Sequence, residues 1–101
     1  MAYEIVWTQR AIKSFDYNLE YLQENWTEQE IKHFILLLEK KLSVLIKNPE
    51  IGRPKSKSDK NIRQTVLHKR IIIIYRIRPK SRKIELLLFW NTYRHPSKLK
   101  P

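Results

Sequence analysis

Apolar and polar positions along the chain change period partway through. Ala2–Trp7 (AYEIVW) alternates loosely and is rich in β-formers, which predicts a first strand. Thr8 follows as a helix N-cap. Ala11, Ile12, Phe15, Leu19 and Leu22 then recur at spacings of three and four, the stripe of an amphipathic helix from about Gln9 to Glu24. Asn25 and Trp26 break it. Thr27-Glu28-Gln29-Glu30 reads as a capping box, in which the Thr27 hydroxyl accepts from the Glu30 amide and Glu30 reaches back. The helix it opens carries Ile31, Phe34, Ile35, Leu38, Leu42, Leu45 and Ile46 on one side. It stops at Asn48, because Pro49 disfavours helical geometry in the residue before it. At about 21 residues it is roughly 31 Å long. So short a connection predicts an antiparallel helical hairpin.

Pro49–Pro54 holds the only glycine, Gly52, and predicts a turn. It leads into a basic loop, Lys55-Ser56-Lys57-Ser58-Asp59-Lys60, which lacks apolar anchors and is expected to be mobile in the free protein. Three strands follow: Asn61–Leu67, Arg70–Arg78 and Lys83–Trp90. Ile62 and Val66 share one face of the first, Arg63, Thr65 and Leu67 the other. The Ile71–Ile74 run is apolar on both faces, which marks a central strand. His68-Lys69 and Pro79–Arg82 read as tight turns, and Asn91–Pro101 as a polar tail. The order β-α-α-β-β-β predicts an α+β fold, a helical hairpin on one face of a small, mainly antiparallel four-stranded sheet. Arg76 and Arg78 share a side of their strand. Burial of unpaired guanidinium groups is too costly in a small domain, so that side must reach solvent or a ligand.

The 101 residues suit a single domain spanning 1–101, and 42% hydrophobic content supports one modest core. There is no cysteine, which excludes disulfides, zinc–thiolate sites and thiol catalysis and fits a reducing compartment. The N-terminus is too short and polar for a signal peptide, and no apolar run approaches the roughly 20 residues that span a bilayer. A cytoplasmic location without membrane attachment is therefore expected. Charge alters the picture more. The net charge is +11, yet residues 1–50 hold six Lys/Arg against eight Asp/Glu, and residues 51–101 hold fifteen against two. Excess charge confined to one half of a small domain makes a basic face, which attracts nucleic acid or an acidic protein.

Several features occur together: Trp7-Thr8 with Ala11 close behind, two helices, the Asn48-Pro49…Gly52-Arg53 turn, Ile62-Arg63 opening a strand, Ile74-Tyr75-Arg76-Ile77, and the closing Asn91-Thr92-Tyr93-Arg94-His95-Pro96. In this order and at this length the chain resembles the RelE/ParE superfamily of type II toxin–antitoxin toxins. The resemblance implies a compact α+β fold whose sheet face binds the target, a bacterial origin, and a cognate acidic antitoxin that wraps the toxin. RelE-like members cut mRNA in the ribosome, whereas ParE-like members inhibit DNA gyrase and cut nothing.

Metal-free RNA cleavage needs a base for the 2′-OH, charge on the phosphate and an acid for the leaving oxygen. The resemblance assigns catalytic roles to Arg63, Tyr93 and His95. A guanidinium at Arg63 suits the phosphate because it forks onto two oxygens. Lys55, Lys57, Lys60, Arg76, Arg78 and Arg94 are candidates for RNA or phosphate binding, and Glu50, ahead of the loop, is a weak candidate base. No metal and no small-molecule cofactor is expected. Structural roles are open to the same residues. Arg63 can pair with Asp59 or Glu85, the loop lysines can be solvated charge, and His95 can be plain surface. His33 and His68 carry no functional signal, and Trp7, Trp26 and Trp90 fall in or beside apolar runs that suit a core.

Three readings follow. The first is a ribosome-dependent mRNA endonuclease of the RelE kind, a growth-arresting toxin neutralised by its antitoxin and associated with plasmid stabilisation. The second is a gyrase inhibitor of the ParE kind, acting by binding alone. The third is a basic RNA-binding protein without toxicity.

Overall fold

The computed structural model describes residues 3–68 and 70–92. Strand β1 (Glu4–Trp7) leads into helix α1 (Gln9–Asn25), and helix α2 (Glu28–Lys47) follows after two residues. The Thr8 side chain caps α1, accepting from the Ala11 amide at 3.1 Å. The capping box on α2 forms in both directions, Glu30 N to Thr27 Oγ1 and Thr27 N to Glu30 Oε1. A single 3-10 turn (Pro49–Ile51) then leads to β2 (Arg53–Pro54), β3 (Ile62–His68), β4 (Ile71–Arg78) and β5 (Lys83–Asn91).

The strands form one five-stranded sheet in the order β1-β5-β4-β3-β2. It is antiparallel except where β1 runs parallel to β5, so the α+β class holds and the sheet has one strand more than the pattern predicts. The extra strand, β2, is only two residues long and contains Pro54, and so leaves no alternating pattern to detect. Several boundaries shift by a residue or two, and two of these shifts change what a residue does. His68 belongs to β3 rather than to a turn, and Asn91 closes β5 as a buried residue rather than opening a tail.

The helices cover one side of the sheet. Ile71, Ile73, Tyr75 and Ile77 of β4 share that side with Ile84, Leu86 and Phe89 of β5, packed against Ala11, Leu22, Phe34, Leu38 and Leu45. By alternation, Ile72, Ile74, Arg76 and Arg78 line the other side. On β3 the two groups separate as expected: Arg63, Thr65 and Leu67 with the helices, Ile62 and Val66 on the open side. A register shift in the β4–β5 ladder between Ile74 and Tyr75 leaves Leu87 without a partner.

The buried stripe of α1 is not the one its apolar residues suggest. Ile12 is 42% exposed, while Ser14 and Asn18 are fully buried. The reason lies in the sheet. β1 pairs with β5 only from Lys83 to Leu86, so the rest of that edge lacks a strand. Helix α1 supplies what is missing: Phe89 N donates to Ser14 Oγ at 2.9 Å, and Asn18 Nδ2 donates to Phe89 O at 3.0 Å. Unpaired buried backbone groups are costly, and these two side chains satisfy both. Among the described residues no helix is long and apolar enough to cross a membrane.

Candidate functional site

The basic half of the chain is presented in three places. The first lies where the 3-10 turn meets the sheet, on the helix-covered side. Tyr75 is fully buried. Its hydroxyl donates to Pro49 O at 2.7 Å and accepts from the Gly52 amide at 3.0 Å. Burial pushes the phenol above its ordinary value of 10.0, against the lowering effect of the Gly52 amide and the Arg63 guanidinium. Gly52 has ordinary backbone angles, so close approach is what demands glycine. A Cβ there would lie 2.5 Å from Tyr75 Oη and 2.7 Å from Gln64 O.

Arg63 stands opposite Tyr75 in the β3–β4 register. Its Nη1 donates to Gly52 O at 2.7 Å and to Glu50 O at 3.2 Å. The alternative of a pairing with Asp59 or Glu85 is not what forms. Asp59 lies at 4.0 Å from Arg76 and Glu85 at 3.1 Å from Arg78, because both carboxylates serve the open side of the sheet while Arg63 lies beneath it. Arg63 and Tyr75 together strap the 49–52 segment to the sheet.

The second place is the open side. Arg76 and Arg78 emerge there in one row with Ile72 and Ile74, as their shared parity requires. Lys55 lines a cleft on that side with Ile72, Ile74, Leu88 and Trp90. Trp90 lies opposite Ile72 in the register and thus belongs to the open side rather than to the core. Trp7 and Trp26 do pack on the core, Trp7 stacked on Phe89 at 5.3 Å between ring centres. His68 packs edge-on against Trp26 at 5.0 Å, an aromatic contact that its position beside Lys69 does not reveal.

The third place is the 55–60 loop. Lys57 and Lys60 are exposed on it. The loop is closed by Lys55 N to Ile62 O and by Asp59 Oδ1 accepting from Asn61 N at 2.9 Å. Tyr93, Arg94 and His95 lie outside the described residues. The remaining candidates do not converge on a single point: Arg63 is on the helix side, Arg76 and Arg78 on the open side, Lys57 and Lys60 on the loop. Among the described residues no group of three His, Asp or Glu side chains is arranged to hold a metal ion. Sequence reasoning placed Gly52 in a turn and Tyr75 in a strand but gave neither a part in the site. A single glycine beside a proline turn was the available signal for the first, and a tyrosine within an aliphatic run for the second.

Comparison with known proteins gives a consistent outcome. The family model for the ParE toxin of the type II toxin–antitoxin system parDE matches residues 5–96. No curated protein matches the sequence. Among solved structures, the chromosomal ParDE system from P. aeruginosa superposes with a TM-score of 0.68 at 15% identity, covering 88% of this chain and 95% of that one. The RelBE2 toxin–antitoxin complex from Mycobacterium tuberculosis gives 0.63 at 15% identity, covering 90% and 99%. A mutant of the E. coli toxin RelE in the free state gives 0.61 at 16% identity, covering 98% and 90%. At such identities the structures bear on the fold, which they share with this chain. The family match displaces the reading as a basic RNA-binding protein without toxicity. The chain belongs to the ParE family of the RelE/ParE superfamily, the toxins of type II toxin–antitoxin systems.

Proposed function

We propose that the chain arrests growth by binding rather than cutting, inhibiting DNA gyrase in the ParE manner, and that a cognate acidic antitoxin neutralises it. The observation that carries this reading is the commitment of Arg63. Its Nη1 is spent on Gly52 O and Glu50 O, on the side of the sheet opposite Arg76 and Arg78. A phosphate fork must be free to meet the scissile group, and general acid–base work requires partners within hydrogen-bond reach of one reacting centre. A basic, partly apolar face suits binding to a protein surface without any such convergence. The ParE family match supports the same choice.

The RelE-like reading, a ribosome-dependent mRNA endonuclease, rests on a different observation. Arg76 and Arg78 stand on the open side, with side chains 33% and 51% exposed, where a phosphate backbone can reach them. In that reading Arg63, Tyr93 and His95 carry the chemistry, and Lys55, Lys57, Lys60, Arg76, Arg78 and Arg94 hold the RNA. Assaying the purified chain in parallel on gyrase supercoiling and on translating ribosomes separates the two. Stalled supercoiling with intact mRNA is the expected result. Cleaved mRNA with normal supercoiling overturns it, and toxicity should then vanish in an Arg63→Ala, His95→Ala double variant.

A further inference from the structure

Two cavities meet where the helical hairpin turns. The first, of about 430 Å³, is lined by Trp26, Gln29, Glu30, His33, Phe34 and His68 among others. The second, of about 140 Å³, is lined by Tyr21, Asn25, Arg70 and Asn91 among others. Trp26 and His68 line both, their rings edge-on at 5.0 Å, so this pair is the partition between the two.

His68 reaches the partition through an irregularity in the sheet. Val66 lies on the open side and Leu67 is buried with the helices, so strict alternation would return His68 to the open side. The β3–β4 register shifts between Val66 and His68, and a bulge there re-aims the side chain that follows it. His68 accordingly packs on Trp26 and, at 6.3 Å, on Phe34, both on the helix side. The sheet gives up regular pairing at this point, and an imidazole gains a place between two cavities.

The two compartments differ in chemistry. The first has aromatic walls: half-buried Trp26 and exposed His33 offer ring surface, and Gln29 an amide that both donates and accepts. A planar base stacks on such rings. An anion is unwelcome there, because Glu28 and Glu30 occupy the first turn of α2 and the capping box holds Glu30 in place. The second compartment has no carboxylate among its described lining residues. It combines the Arg70 guanidinium with the Tyr21 hydroxyl and the Asn25 and Asn91 amides. A guanidinium forks onto phosphate oxygens. Side by side, the compartments suit a ligand with a planar head and an anionic end.

We propose that these cavities form a mononucleotide site, in which the base of a nucleoside 5′-monophosphate lies against Trp26 and His33 and its phosphate meets Arg70. The site lies on the helix side of the sheet, apart from the Arg76–Arg78 row, so the proposal is independent of the choice between gyrase and ribosome.

The test is isothermal titration calorimetry of the intact chain with adenosine 5′-monophosphate, adenosine, and a 5′-phosphorylated adenosine trinucleotide. The monophosphate should bind one to one, and adenosine about tenfold more weakly. Arg70→Gln should weaken the monophosphate about tenfold and leave adenosine unchanged, since only the phosphate meets it. Trp26→Leu should weaken both about tenfold, and His33→Ala both about threefold. Thermal melts check folding. Trp26 packs on the core, so exposed His33 carries the aromatic arm if the Trp26 variant fails to fold. Lys47→Gln, an equal loss of charge at the far end of α2, should change binding by less than about twofold. The proposal is overturned if the monophosphate does not saturate one site, if adenosine binds as well, or if Lys47→Gln weakens binding as much as Arg70→Gln. Indifference to His33→Ala also overturns it. A trinucleotide that binds more tightly than the monophosphate with the same variant dependence makes this a strand-binding site and overturns it too.

Discussion

At the scale of single residues, the strap around Gly52 contributes most. Tyr75→Phe removes the donation to Pro49 O and leaves the Gly52 amide unpaired in the interior. The expected loss is about 2 kcal/mol in denaturant unfolding. The same phenol gives a pH signature. Its folded-state pKa is raised, so the neutral form favours the fold and its contribution is complete below pH 10.0. That contribution disappears as pH rises through the raised value, because the unfolded phenol ionises first. The stability difference between the parent chain and Tyr75→Phe should therefore shrink above pH 10.0, and an unchanged difference would contradict the assignment. Little of this was legible in sequence. A tyrosine in Ile-Ile-Ile-Ile-Tyr reads as one more apolar position, and its hydrogen bonds reach back 26 and 23 residues. Arg63 shows the limit in another way. The Ile-Arg pair marks a strand entrance, but which side of the sheet the arginine takes follows from the β3–β4 register.

At the scale of elements, caps and periods were readable because they are local. Thr8 and the Thr27–Glu30 box each fix a helix start through residues three apart. The buried polar stripe on α1 was not readable. Ser14 and Asn18 look like solvent positions until β5 is known to have an unfilled edge. Asn18→Ala should thus behave as a core substitution. It breaks the bonds to Phe89 O and Ser14 O and should lower stability by about 2–3 kcal/mol. Exposed Asn25 on the same helix, bonded only to Tyr21 O four residues back, is the control and should change stability by less than about 0.5 kcal/mol. Equal effects at the two sites would refute the edge-filling role. Strand β2 and the unpaired Leu87 were invisible for a different reason: two residues carry no period, and a bulge interrupts the one that exists.

At the scale of the whole molecule, charge segregation was the most informative feature of the composition. It anticipated a basic surface, and the fold divides that surface into a strap beneath the sheet, a row above it and a loop beside it. Raising salt to about 0.5 M should weaken the complex with an acidic antitoxin by about tenfold in titration calorimetry, since the cations of the open row are exposed and readily screened. A salt-insensitive complex would make Ile72, Ile74, Val66 and Trp90 the dominant anchors. The sheet order carries a separate consequence, one of timing. β5 is synthesised last of the described strands, yet it is the common neighbour of β1, β4 and α1. A nascent chain that has emerged only as far as β4 has its helices but not the strand on which α1 and β1 assemble. Sheets closed by such distant pairings form late and cooperatively. The open row of β4 therefore has no complete sheet beneath it until β5 has been made.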